Sequence, residues 1–196
     1  VYLMGHSMGG YGSHNVASRH PDLFAAIAPA QGTDALHLTA NLRNVPFLMM
    51  ASDQDLDANA EKALRHYALL SAEGFNADIL QYRAKIHEYS SIYDTLPRIF
   101  NHFGAHTLNL NPAVVSYTQT PSEVRADLGL HYNRAYWMSA LSPQNTANPV
   151  TVTLESFGLV HPVLNPAAAT RTDAAVDEGG PTGRTLAQLK TTRPAT

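Results

Sequence analysis

Residues 1–12, VYLMGHSMGGYG, decide how this chain is read. The apolar run Val1–Met4 runs straight into Gly5-His6-Ser7-Met8-Gly9-Gly10. A short apolar run bounded by glycine fits a buried parallel strand over residues 1–5. Gly9 and Gly10 then open a helical stretch to about His20, ended by Pro21-Asp22. A serine in the pattern G-x-S-x-G between strand and helix occupies a tight turn that forces strained backbone geometry. The glycines two positions to either side leave room for the close crossing of strand and helix. Ser7 Oγ is expected at the carboxyl end of the strand, near the positive end of the helix dipole. The Met8 backbone N–H is expected to face a developing oxyanion. The alternative is that Ser7 merely fills a glycine-rich turn.

A serine hydroxyl attacks poorly without a base, and the base needs a carboxylate to fix its tautomer. The acid should follow a strand, and FLMMASDQD offers Asp53 and Asp55, with Asp57 just beyond. By position alone Asp55, three residues past Ser52, and Asp53 both stay open as the acid; Asp57 reads as a cap for the following helix. These aspartates imitate the start of a calcium loop. Counted from Asp53, however, the sixth position is Ala58 and the twelfth Leu64, so the glycine turn and the bidentate glutamate are lacking. The base should lie in the loop after the next strand, and His87 in RAKIHEYSS is placed there. Ser7, either aspartate and His87 thus follow one another in the order serine, acid, histidine.

The other histidines carry less. His6 packs against or orients the turn. His102 and His106 are four apart in HFGAH, but without a third ligand they make no zinc site. No metal or organic cofactor is assigned. Trp137 and its aromatic neighbours read as the small core of a β region rather than as a substrate platform.

The 196 residues suit one domain with a small appendage. An apolar share of 44% and a charged share of 15% are globular proportions. No apolar run approaches the about 18 to 20 residues that cross a bilayer. A net charge of −3 without a basic cluster argues against nucleic acid as a partner. With no cysteine there can be no disulfide or thiolate metal site. The first residue is Val1, so compartment is not readable from that end, and a secreted protein fits as well as any other.

Apolar runs at LFAAIAPA, NVPFLMMAS and NADILQYRA continue the strand series. NAEKALRHYALLSAEG has helical spacing, with Gly74 as its C-terminal cap. A further helix runs toward Phe103, and Pro97 should kink or divide it. Alternating strands and helices predict a partial parallel sheet with right-handed crossovers over residues 1–109. The runs AVVSYTQT, HYNRAYWMSAL and PVTVTLESFGL predict a β-rich extension over 110–164. Residues 165–196, poor in anchors, are expected to be poorly ordered.

GHSMGGYGSHNVASRHPDLFAAIAPAQG, LRNVPFLMMASDQD and YRAKIHEYSS resemble the elbow, acid strand and histidine loop of the α/β-hydrolase fold. More narrowly, they resemble those of prolyl oligopeptidase-like serine hydrolases. The resemblance covers about residues 1–104 and extends more loosely through NPAVVSYTQTPSEVRADLGLHYNRAYWMSAL, which is similar to the C-terminal extension of some bacterial relatives. It implies Ser7 as nucleophile, Asp55 as acid, His87 as base and Met8 N–H as one oxyanion donor. The implied reaction cleaves a small peptide, amide or ester through an acyl-enzyme, without cofactor. A carboxylesterase or depolymerase with the same triad, and a catalytically inactive accessory module, stand as alternatives. Ser52 departs from the family's glycine, and LDAN from its apolar-proline stretch. The family carries strands and a second oxyanion donor before the elbow. The expectation is therefore a C-terminal portion of a larger enzyme, nearly inactive alone, because losing one donor costs about 10²- to 10³-fold.

Overall fold

The computed structural model describes residues 1–33, 36–57, 60–120, 124–142, 148–156 and 190–192. Two compact units divide at Leu110 and Asn111. In the first, strands β1 (Tyr2–His6), β2 (Ala26–Ala30), β3 (Phe47–Ser52) and β4 (Ala77–Tyr82) form one sheet in that order. All three neighbouring pairs are parallel. Helices α1 (Met8–Arg19), α2 (Ala60–Ala72) and α3 (Ser90–Gly104) lie between and after the strands.

Side chains alternate across each strand, so the sheet has two apolar faces. Ile27, Phe47, Met49 and Ala51 pack with Ala17 of α1 and with Ala63 and Leu70 of α2. Ala26, Ala28, Ala30, Leu48 and Met50 pack with Ile92, Ile99 and Phe103 of α3. Every residue of β2 and β3 is buried, as expected of central parallel strands covered on both sides. β1 and β4, at the two edges, contain no fully buried residue.

Pro29 sits inside β2, where a sheet interior normally excludes proline. Ile27 N–H donates to Pro46 C=O and Gln31 N–H to Met50 C=O. The donor between them would be residue 29, which has none, so the ladder skips one rung. Gly74 takes a left-handed φ of 70° just past α2, as a C-terminal cap should. Pro97 does not divide its helix. α3 runs unbroken from Ser90 to Gly104, held by the buried Ile92, Ile99 and Phe103 on one face.

The second unit contains β5 (Val114–Gln119), β6 (Val150–Glu155) and β7 (Lys190–Thr192) in an antiparallel sheet of that order. HYNRAYWMSAL, read as a β-prone run, makes only an isolated Ala135–Met138 bridge. A short helical turn, Ala126–Leu128, precedes it. The small core is Val115, Tyr117, Ala135, Met138 and Leu154. Trp137 stays outside that core, 38% exposed, with its indole N–H donated to Pro112 C=O. The expected poorly ordered segment from Asn165 lies outside the described residues, except for the strand Lys190–Thr192. No helix among the described residues is long and apolar enough to cross a membrane.

Candidate active site

Ser7 closes β1 and precedes α1 with φ 56° and ψ −118°, a left-handed conformation uncommon for a residue with a side chain. Its N–H donates to Ala30 C=O at 2.9 Å, and its own carbonyl accepts Tyr11 N–H at 3.0 Å. What makes the turn possible is missing side-chain volume. A Cβ on Gly5 would run into the backbone of Gly9, and one on Gly10 would lie 2.5 Å from Ala30 O. A Cβ on Gly32 would collide with Ser7 O and sit 2.8 Å from Tyr11 N. Gly9, expected to provide clearance by lacking a side chain, has open space where its Cβ would go. The glycines that matter are therefore 5, 10 and 32, and the last is 23 residues beyond the end of the motif at Gly9.

Serine at this position normally caps the helix, but Ser7 makes no capping bond. Its Oγ lies 2.7 Å from His87 Nε2, and His87 Nδ1 lies 2.8 Å from Asp55 Oδ2. A carboxylate only accepts, so Nδ1 carries the ring proton and donates to Asp55. Nε2 is then the ring's lone-pair nitrogen, and the Ser7 hydroxyl donates to it. The Asp55 side chain is 1% exposed and that of His87 20% exposed. The Asp55 carboxylate is sealed while the His87 ring keeps one edge toward solvent. Met8 opens α1, so its N–H is among the first amides that lack an acceptor within the helix.

The structure separates Asp55 from Asp53. Asp53 is still part of the sheet's extension: its N–H donates to Tyr82 C=O at 3.1 Å. Its Oδ1 accepts the Lys85 N–H at 3.4 Å. Asp55 N–H returns to Ser52 C=O at 3.2 Å, a turn that aims the carboxylate inward. Asp57 N–H donates to Asp55 Oδ1 at 3.0 Å. The helix-cap reading of Asp57 falls on residues 58–59, outside the described residues. Asp55, Asp57 and His87 present potential metal-ligand atoms within 4.8 Å of one another. Both Asp55 oxygens already accept protein N–H groups, and the same geometry that gathers the three residues is the hydrogen-bonded series itself.

His6 stands beside His87, with ring centroids 5.0 Å apart, and Tyr89 meets His6 edge-on at 6.3 Å. The residue that sequence reading missed is Gln31. It is buried, has φ 47°, and places its side-chain amide among the three loops that hold Ser7, Asp55 and His87. Its partners are His6 Nε2, Ser52 Oγ and Ile86 C=O.

His102 and His106 face each other at 4.7 Å between centroids. His106 donates from Nδ1 to His102 C=O at 2.7 Å, and its Nε2 accepts from the Asn76 amide at 3.1 Å. Both ring nitrogens of His106 thus have protein partners.

No protein-family model matches the sequence, and no curated protein matches it either. Solved structures do match. A thermostable esterase superposes with a TM-score of 0.50 at 20% identity, over 54% of this chain and 30% of the other. With it, the all-parallel sheet and the left-handed serine turn at the end of β1 decide the architecture. The first unit has part of an α/β-hydrolase fold. S-formylglutathione hydrolase from Staphylococcus aureus matches at 20% identity with a TM-score of 0.45, over 51% of this chain and 49% of that one. Acylaminoacyl peptidase from Pyrococcus horikoshii gives 17% and 0.43, over 52% and 22%. The chain therefore spans about a quarter to a half of the length of these structures. The α/β-hydrolase fold puts its chemistry at the carboxyl ends of the strands, which is where Ser7, Asp55 and His87 lie.

Proposed function

We propose that the protein is a serine hydrolase that cleaves carboxylic ester or amide bonds through an acyl-enzyme, with Ser7 as nucleophile, His87 as general base and Asp55 orienting the imidazole. The observation that carries this reading is the unbroken series from Ser7 Oγ through His87 to the sealed Asp55 carboxylate, with both links under 3 Å. As Ser7 Oγ attacks the acyl carbon, its proton passes to His87 Nε2 and the carbonyl electron pair moves onto oxygen. Met8 N–H, at the positive end of α1, stabilises that oxyanion. Asp55 stabilises the imidazolium without taking its proton. His87 then protonates the departing alcohol or amine as the tetrahedral species collapses. Water, deprotonated by the same Nε2, attacks the acyl-enzyme and releases the acid and a regenerated Ser7.

The narrower reading is a prolyl oligopeptidase-type enzyme acting on small peptides or amides. Its support is the likeness of GHSMGGYGSHNVASRHPDLFAAIAPAQG and YRAKIHEYSS to that group. The rival is a carboxylesterase with the same triad. Rates on proline-containing amides against short-chain aryl esters divide the two.

The test of the reading itself is covalent capture by a fluorophosphonate. Mass spectrometry should find one adduct, on the peptide containing Ser7, and none in the Ser7→Ala protein. An unlabelled full-length protein, or equal labelling of it and its Ser7→Ala form, would return the chain to the class of inactive accessory modules.

A further inference from the structure

We infer that Gln31 is a positioning residue for the proposed hydrolysis: its buried carboxamide ties the serine, acid and histidine loops to one another through His6, Ser52 and Ile86. The inference rests on the serine-hydrolase reading and extends it to a residue that touches none of the reacting atoms.

A glutamine amide has two N–H donors and one carbonyl acceptor. Here all are engaged. Nε2 donates to Ser52 Oγ and, at 3.1 Å, to Ile86 C=O. Oε1 must then be the acceptor in the 2.5 Å contact with His6, so His6 carries its proton on Nε2. Each partner neighbours a residue of the triad. His6 directly precedes Ser7, and Ile86 directly precedes His87. Ser52 offers its carbonyl to the Asp55 N–H, the bond that turns the acid inward.

Two further observations mark the position as more than packing. Gln31 is 2% exposed, and a buried amide is held in place only where every polar atom is satisfied. It also adopts φ 47°, a left-handed conformation that ordinarily costs a residue with a side chain about 1 kcal/mol or more. Gly32, next along, is needed for its closeness to Ser7 O. The turn after β2 is thus shaped around the elbow on one side and the carboxamide bridge on the other. Ser52, the departure from the family's glycine, acquires a reason: its hydroxyl is the acceptor that Gln31 needs.

Replacing the amide by a side chain of similar length without donors, Gln31→Met, should leave the backbone turn and remove all three ties. A misplacement of about 1 Å among reacting groups costs about 10²-fold. The expected result is kcat on an aryl ester reduced on the order of 10- to 100-fold, with KM within about twofold. The downfield proton resonance of the His87 Nδ1–H bond to Asp55 should broaden or shift. Ser52→Ala removes one tie and should give a smaller loss. Combined with Gln31→Met it should add almost nothing, because the two side chains act in one network.

Fluorophosphonate capture is run alongside on every protein. Wild-type labelling at Ser7 with Gln31→Met captured at the same rate overturns the inference and leaves the hydrolase reading standing; an unlabelled wild type overturns both. If Gln31→Met does not fold, Ser52→Ala and Gln31→Glu carry the test. Gln31→Glu keeps the acceptor for His6 but sets a carboxylate against Ile86 C=O, so kcat should fall again. Unchanged kcat in both variants refutes the bridge.

Discussion

Acidification should destabilise this protein through a histidine remote from the proposed chemistry. His66, on α2, is wholly buried, facing Phe47 at 5.8 Å and His14 of α1 at 4.7 Å between ring centroids. Its Nε2 meets the Thr39 hydroxyl at 3.1 Å, while Nδ1 has no hydrogen-bond partner among the described residues. Burial, with Lys62 on the same helix, pushes its imidazole from 6.5 down to about 4. Between those values the unfolded chain carries a proton on this ring that the folded chain does not. Stability is therefore complete above about pH 6.5 and falls as the pH drops toward 4. Linkage over that range gives a loss of about 2 to 3 kcal/mol between pH 7.5 and 4.5 from this one group, a large share of the stability of an ordinary domain. The assay is urea unfolding of wild type and His66→Leu at both pH values. Only the change with pH matters, so the variant's altered baseline cancels. His66→Leu should flatten the wild-type pH dependence by about that amount. Equal pH dependence in the two proteins would refute the argument.

Four further outcomes follow from the site and its scaffold. Asp55→Asn should lower kcat on an aryl ester by about 10³- to 10⁴-fold, by spoiling the tautomer of His87. Asp53→Asn should change kcat by less than about threefold, since that carboxylate faces the exposed Lys85 backbone; reversed effects would reassign the acid. Gly10→Ala should lower stability by about 1 to 3 kcal/mol, as its methyl group meets Ala30 O. Gly12→Ala, on the open face of α1, should raise stability by about 0.5 to 1 kcal/mol. Urea midpoints that move the same way for both would contradict the packing described for the elbow helix.

The fold was legible because its signals are local. An apolar run before a glycine turn, a helical period ended by Pro21, and a positive-φ glycine at position 74 each announce an element within a few residues. The β-prone reading of HYNRAYWMSAL failed because propensity describes a half-buried pleat. Here Ala135 and Met138 reach the small core from a single bridge, with no partner strand alongside among the described residues. Pro97 misled in the opposite direction, since its break is overridden by side chains of the same helix buried on the sheet.

At the candidate site, the elbow could be read from five consecutive residues, but Asp53 and Asp55 could not be ranked by spacing alone. They lie two residues apart past the strand's end and differ in what holds them: Asp53 N–H pairs with Tyr82 C=O, and Asp55 N–H with Ser52 C=O. Gln31 was out of reach. Its partners are 25, 21 and 55 positions away, and nothing in the motif points to a glutamine beyond the second strand. Gly32 was hidden for the same reason: its need comes from an atom of Ser7 and not from its neighbours in sequence.

Ser7, Gln31, Asp55 and His87 all come just after the carboxyl ends of successive strands, while the turns entering those strands near residues 24–25, 44–46 and 74–76 hold none of them. The molecule has a working end and a foundation. A residue inserted between Ser52 and Asp55 would swing the carboxylate off the imidazole, whereas one added near Asn44 would disturb only the footing of a strand. If the proposed hydrolysis holds, lengthening the loops at that end, outside the hydrogen-bonded series, would recast which acyl compounds fit without rebuilding what holds the sheet together.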